Sequence, residues 1–304
     1  MRAERKLAAW VRPIVLASSL PLLLAAQDTV FRSDVSLVRV DVQVTQRMGS
    51  IAGLQKEDFA VKDNGRPQSL LYCTQDEEAL DLMLLFDISG SMQRSIRRVA
   101  ASGLVALREL RQGDRVAVAD FNTDSFLMAP FTDDLAQAAA NVNRVVDLPF
   151  GGGTHILSAV NDAASYLKKN GDPHRRRAIL IVTDNQGQSS MREKAVVDRM
   201  WDADVVLCGL IVRSHEAIGL AMAQEDMLGA AEKTGGEVVN ADDPGQSFGE
   251  MLRRLRKRYS LYYATPAAKP GTARRVAVEL SAAARRKYPD AQVLARKGYL
   301  IPKG

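Results

Sequence analysis

Val38, Val40, Val42 and Val44 alternate with Arg39, Asp41, Gln43 and Thr45. That period of two predicts a strand with one buried and one solvated face. Further on, Phe59-Ala60-Val61 and Leu70-Leu71-Tyr72 flank Asp63-Asn64-Gly65, a turn signal between two more strands. Residues 27–77 thus read as a small N-terminal β module, closed by an acidic linker at 75–78. From Leu80 the rhythm changes. Short apolar runs at 82–86, 116–121, 178–182 and 205–212 and a shorter one at 237–240 alternate with helical spacing at 95–110, 133–146, 156–169, 191–201, 220–233 and 247–258. Apolar strands alternating with helices predict an α/β fold, a doubly wound and mostly parallel sheet covered on both faces. The stretch 125–128 follows its neighbour through a hairpin-like connection and is expected as an antiparallel edge strand. After 258 the chain returns to short β segments at 259–263, 276–280 and 293–295, a C-terminal basic β extension over 259–304.

Charge and the first residues refine this outline. Residues 1–26 combine a basic start with the apolar run 14–26, ending in Leu24-Ala25-Ala26, the pattern of a secretory signal peptide. An uncleaved membrane anchor is the alternative, but the run is shorter than the roughly 20 residues of a spanning helix and is interrupted by Pro13 and Pro21, so cleavage is expected. The expected location is therefore secreted or periplasmic. The net charge is +5; residues 1–26 carry +3 and the stretch from Arg253 to the end carries +12, so the residues between carry −10. The basicity belongs to a leader and a tail, and does not point to nucleic acid. Only Cys73 and Cys208 are present; export permits a disulfide, but Cys208 lies in an apolar run and two free thiols are expected.

The chemistry concentrates where strands end. The apolar run from Leu82 stops at Asp87, and Asp87, Ser89 and Ser91 follow at alternate positions. Gly151-Gly152-Gly153-Thr154 opens the helix at 156, and the run 178–182 ends in Thr183-Asp184. Ligands of open α/β sheets bind beyond the carboxyl ends of strands. Two hydroxyls, one or two carboxylates and some waters suit Mg²⁺, with Mn²⁺ or Ca²⁺ as alternatives, and the absence of His and Cys argues against zinc. With so few carboxylates the ion would be barely neutralised and open to a carboxylate from a partner. The glycines would let a partner's backbone approach.

Asp87-x-Ser89-x-Ser91 after an apolar strand, Gly-Gly-Thr154 opening a helix and Thr183-Asp184 ending a later strand together resemble the von Willebrand factor A domain with its metal-ion-dependent adhesion site, over residues 78–258. The resemblance implies a Rossmann-like sheet, with Ser89, Ser91 and Thr154 coordinating directly and Asp87 and Asp184 directly or through water. Gly152, Gly153 and Asn185 would then belong to a partner-binding loop, and the partner would be a protein offering an acidic residue. Members often carry Gly after the last metal aspartate, where this chain has Asn185-Gln186; that departure bears on the loop's shape. Phe31-Arg32, the stretches 35–44, 54–59 and 63–67, Arg258-Tyr259-x-Leu261-x-Tyr263 and Arg296-Lys297-Gly298-Tyr299 are similar to the flanks of secreted acidobacterial proteins related to this family.

Each feature also has a plainer reading. Asp87, Ser89 and Ser91 could cap a helix, but one residue suffices for that. The glycine run could be a flexible loop; it lacks the spacing of a nucleotide-binding one. Ser165-x-x-Lys168 sits mid-helix without companion motifs and His215-Glu216 lacks a second His, so a hydrolase using the metal or Ser165 is the least favoured alternative and no enzyme is expected. Asp120 is expected to cap or solvate an edge loop. Arg175–Arg177 read as gatekeeping charges before a buried strand. Arg253, Arg254, Arg256, Lys257 and Arg258 read as cations complementing a helix terminus, with a surface for acidic partners as the sharper alternative. If a bound ion were only structural, the β modules or basic tail would carry binding.

Overall fold

A computed structural model describes residues 36–47, 49–75, 78–188, 191–212 and 227–301, all within one compact unit. The expected signal peptide, Phe31-Arg32, His215-Glu216 and the first part of the helix expected over 220–233 lie outside the described residues. The leading flank supplies β1 (Leu37–Gln46), β2 (Gly49–Ser50), β3 (Phe59–Asp63), β4 (Arg66–Gln68) and β5 (Tyr72–Gln75). The middle runs β6 (Leu80–Asp87), α1 (Gln93–Leu107), β7 (Arg115–Phe121), β8 (Ser125–Thr132), α2 (Leu135–Arg144), α3 (Ile156–Asn170), β9 (Arg176–Thr183), α4 (Glu193–Ala203), β10 (Val205–Val212), α5 (Met227–Thr234), β11 (Val238–Ala241) and α6 (Pro244–Arg256). The closing flank adds β12 (Tyr259–Ala264), β13 (Ala273–Leu280), α7 (Ala282–Lys287), β14 (Gln292–Ala295) and β15 (Gly298–Leu300).

The middle strands form one sheet in the order β11-β10-β9-β6-β7-β8. All neighbours are parallel except β8, which is the antiparallel edge. Continuous apolar runs arise here because both faces are covered. Leu82, Leu84 and Phe86 face the layer of α1, α2 and α6, against Ile96, Val142 and Phe248. Met83 and Leu85 face the other layer, against Val160 of α3, Val196 of α4 and Ala230 of α5. The start of α2 is set by Asp134, whose carboxylate accepts from the Ala136 and Gln137 amides at 2.9 and 3.0 Å, a side-chain N-cap.

The two flanks, separate modules in the sequence, alternate strands within the same sheets: β14-β1-β12-β5 with β2 beside β1, and β15-β13-β3-β4. Val38, Val40, Val42 and Val44 are all buried, as the period of two requires, against Tyr259, Leu261 and Tyr263 from the other flank. Between β3 and β4 the turn residues Asn64 and Gly65 have φ +46° and +79°, the backbone of a tight two-residue hairpin. At its base Asp63, fully buried, accepts from Arg274 Nε at 2.6 Å and from the Tyr263 and Tyr299 hydroxyls at 2.9 and 2.7 Å. Desolvation raises both tyrosines; the Tyr299 phenol and then Asp63 raise Tyr263 further, while for Tyr299 the Asp63 carboxylate raises and the Tyr263 hydrogen bond lowers, leaving it pushed up to about 12.

Several basic residues sit differently from their sequence reading. Arg254, Arg256 and Arg258 are buried where α6 meets β12, not spread on a surface. Arg258 donates to Gln43 Oε1 at 3.0 Å and to the Gly235 carbonyl at 2.6 Å; Arg254 pairs with Glu237 and Glu250. Arg176 and Arg177, read as gatekeepers, are also buried: Arg176 Nη2 reaches the Arg256 carbonyl at 3.0 Å. These guanidiniums close carbonyl ends of several segments, so three of the tail's cations are unavailable to a polyanion. Asp120 is buried, not solvated, and burial raises its carboxyl. Cys73 and Cys208 are both free thiols.

Candidate functional site

Asp87 ends β6 and Thr183 ends β9, neighbours in the sheet where the chain's winding reverses. Such a switch point leaves a crevice beyond the strand ends. Asp87, Ser89, Thr154, Asp184 and Asn185 are all buried there, with Ser91 half-buried. The Asp87 carboxylate accepts from the Ser89 amide through Oδ1 at 2.9 Å and from the Thr183 hydroxyl through Oδ2 at 2.6 Å. Ser89 and Ser91 hydroxyls lie 3.3 Å apart, and Ser91 donates to Asp184 Oδ2 at 2.7 Å. Asp184 Oδ1 in turn accepts from the Gln186 amide at 3.0 Å.

The hydrogen bonds give each carboxylate neutral donors only. Among the described residues no Lys, Arg or His pairs with Asp87 or Asp184. Burial pushes the Asp87 carboxyl up to about 6, against the Thr183 and Ser89 bonds that pull it down, with Asp184 a further raising charge. Buried negative charge without a counter-charge is costly. Asn185 Oδ1 is a buried acceptor without a partner. No three His, Cys, Asp or Glu side chains converge among the described residues, so a cation here would rest on two carboxylates and hydroxyls. That all-oxygen donor set fits Mg²⁺, which tolerates few protein ligands and retains waters.

Thr154 is joined to this cluster through the backbone. Its carbonyl accepts from the Gln188 amide at 2.9 Å, and Gly151 donates to the Ile88 carbonyl at 2.9 Å. The glycine loop is pinned, not loose. Asn122 Nδ2 donates to the Gly151 carbonyl at 3.0 Å, and the Gly153 amide donates to Thr123 Oγ1 at 3.1 Å. His155 uses its amide on the Asn122 carbonyl and Nδ1 on the Thr123 carbonyl, both at 2.9 Å. Gly152 has φ +86°, and a Cβ there would lie 3.3 Å from Asn122 Nδ2, so this position favours glycine twice over. Asn122 and Thr123, read from sequence only as a hairpin connection, and Thr183, read only as a strand end, are the supports that sequence reasoning missed. Their signal was polarity directly after an apolar run.

Asn185 resolves the departure in the third loop. Its φ is +56°, a left-handed conformation that asparagine tolerates better than most residues. It supplies the backbone course that a glycine would, while its amide bonds Thr183 Oγ1 at 3.1 Å.

Residues 82–188, which contain all five candidate ligands, match the family model of the von Willebrand factor type A domain. Residues 82–188 thus belong to a von Willebrand factor type A domain, set between two flanks that build a common β body. Among solved structures it is similar to an aerotolerance-related membrane protein from Bacteroides fragilis, at 19% identity over 58% of this chain and 98% of that one, TM-score 0.45. It is also similar to the conserved hypothetical protein BatB from Bacteroides thetaiotaomicron (18% identity, 58% and 97% covered, TM-score 0.46). A von Willebrand factor type A protein from Catenulispora acidiphila matches at 14% identity over 90% of this chain and 76% of its own, TM-score 0.46. No curated protein matches the sequence.

Proposed function

We propose that this protein is an extracytoplasmic protein-binding module in which Asp87, Ser89, Ser91, Thr154 and Asp184 hold a divalent cation, best Mg²⁺, that bridges to a carboxylate of a protein partner. The observation that carries the reading is the pair of carboxylates on adjacent strand ends, bonded by neutral donors alone. A bound ion would supply the missing positive charge and coordination positions open to an outside oxygen. The chain's own groups do the rest. Thr183 and the Ser89 amide fix Asp87, Gln186 fixes Asp184, and Asn122 with Thr123 hold the exposed Gly152 and Gly153 beside the opening.

A binding role is favoured over hydrolysis by the placement of the remaining candidates. Ser165 spends its hydroxyl on the Asn161 carbonyl of its own helix at 2.8 Å, and His155 is engaged with Thr123. The leader pattern supports export, and no helix among the described residues is long and apolar enough to cross a membrane. Capture of partners from an envelope extract by the immobilised protein tests the reading. Capture should need Mg²⁺, disappear with chelator and be absent for Asp87→Ala; capture indifferent to both would overturn it.

A further inference from the structure

At the opposite end of β9 from Asp184 lies a second polar centre. β9 has eight residues, so about 23 Å separates the two ends. A cavity of about 420 Å³ opens there between the α/β sheet's helices and the β body, lined by Arg177 at the start of β9, Lys168 on α3, Trp201 on α4, Arg39 on β1, and Arg296 and Tyr299 from the closing flank. Its volume is that of a small-ligand site, and a seam between two layers is a common place for one.

The charges do not balance inside it. Arg177 is 6% exposed, yet its two terminal nitrogens reach only the Ala203 and Gly171 carbonyls, at 2.9 and 3.1 Å, and its Nε has no partner. Burial lowers its affinity for the proton, against the more distant Asp204 charge that raises it. Arg296 Nε is likewise buried without a partner. Arg39 and Arg296 share Asp204, with Asp41 a further 4.0 Å from Arg39 Nε, and Lys168 takes Asp202, donating to its carbonyl at 2.7 Å. Four cations thus face three carboxylates, and none of the three lies within ion-pair distance of Arg177. Trp201, Tyr299, Leu300 and Ile301 add apolar surface to the wall, which also holds His174 and Tyr262.

We propose that this cleft binds a small organic anion, a carboxylate or sulfonate on a flat apolar body, with the anionic group toward Arg177 and Lys168 and the apolar part against Trp201 and Tyr299. Guanidinium groups suit a planar anion through paired N–H donors, and the aromatic wall supplies apolar contact that a bare inorganic ion could not use. The site is independent of the cation proposed at Asp87.

The test is titration of the full chain, in chelator, with 1-anilinonaphthalene-8-sulfonate as the probe. Trp201 lines the cleft and should transfer energy to bound probe, a signal that Trp201→Phe removes. We expect saturation at one equivalent, and about tenfold weaker binding for the neutral analogue N-phenyl-1-naphthylamine, the factor that one lost charged contact commonly gives. Arg177→Met should abolish binding. Lys168→Glu, on a half-exposed side chain at the rim, should weaken it about tenfold with the fold intact, so the question stays decidable if Arg177→Met does not fold. Absence of saturable binding, equal affinity for the neutral analogue, or unchanged affinity in Lys168→Glu would overturn the proposal.

Discussion

The Ser91 hydroxyl donates to Asp184 Oδ2 at 2.7 Å, joining the turn after β6 to the loop after β9 across 93 positions of sequence. Loop residues so placed have no packing reason to meet, because neither is apolar. Ser91→Ala removes that bridge and one hydroxyl from the proposed ligand set. Divalent-ion affinity should fall by at least about tenfold, the usual effect of disturbing a group that holds or orients a ligand, while thermal stability without added metal should change by less than about 1 kcal/mol. Calorimetric titration with Mg²⁺ or Mn²⁺ reads the first and urea unfolding the second.

Asn185 adopts φ +56°, so substitutions there divide by backbone tolerance. Asn185→Gly should leave stability within about 0.5 kcal/mol, whereas Asn185→Ala should cost about 1 kcal/mol, since a Cβ without a local polar bond disfavours the left-handed region. Urea midpoints compare the two. Equal losses would mean that the Asn185 side chain, not its backbone course, is what the loop requires.

The Asp63 carboxylate is bound on both oxygens by Arg274, Tyr263 and Tyr299. Asp63→Ala would strand a guanidinium next to two buried hydroxyls and should cost about 3–5 kcal/mol. Tyr299→Phe removes one hydrogen bond and should cost about 1 kcal/mol. Because the group ties β3 to β13 and β15, loss of Asp63 should uncouple the two flanks, read as amide exchange rising in β3 and β13 before the central sheet.

Asp204 carries a pH dependence. Desolvation would raise its carboxyl, but Arg296 and Arg39 outweigh that and hold it at about 2, below the roughly 3.9 of an unfolded Asp. A carboxyl depressed on folding stabilises above its unfolded value, and that contribution is lost as pH falls from about 4 through 2. Asp204 also ends α4 with φ +53°, which asparagine can adopt, so Asp204→Asn isolates the charge. The variant should be less stable at neutral pH and show a flatter acid limb between pH 4 and 2, followed by Trp201 emission.

Much of the central sheet is legible because its strands are buried on both faces: Leu82–Phe86 and Ala178–Val182 cannot be apolar throughout for any other common reason. For the same reason Asp87 and Asp184 stand out, as polar groups that end such runs without leaving the interior. The β body was harder. The pairing of Val40 with Leu261 spans more than 200 positions, and a period of two gives a strand its faces but not its neighbour. The burial of arginines such as Arg258 and Arg177 is not legible because they donate to carbonyls converging from other segments, an arrangement that leaves no trace in local composition. Asn122 and Thr123 were missed because their role is to hold another loop, which only the folded chain brings near.

A cation shared by Asp87 and Asp184 is read by Mn²⁺ binding, followed as loss of the free-ion electron paramagnetic resonance signal. Asp184→Ala and Asp87→Ala, checked for fold by circular dichroism, are compared with the parent chain. One Mn²⁺ bound by the parent, displaced by excess Mg²⁺, and none bound by either folded variant is the predicted result. Equal binding by parent and variants, or none by the parent, would contradict it.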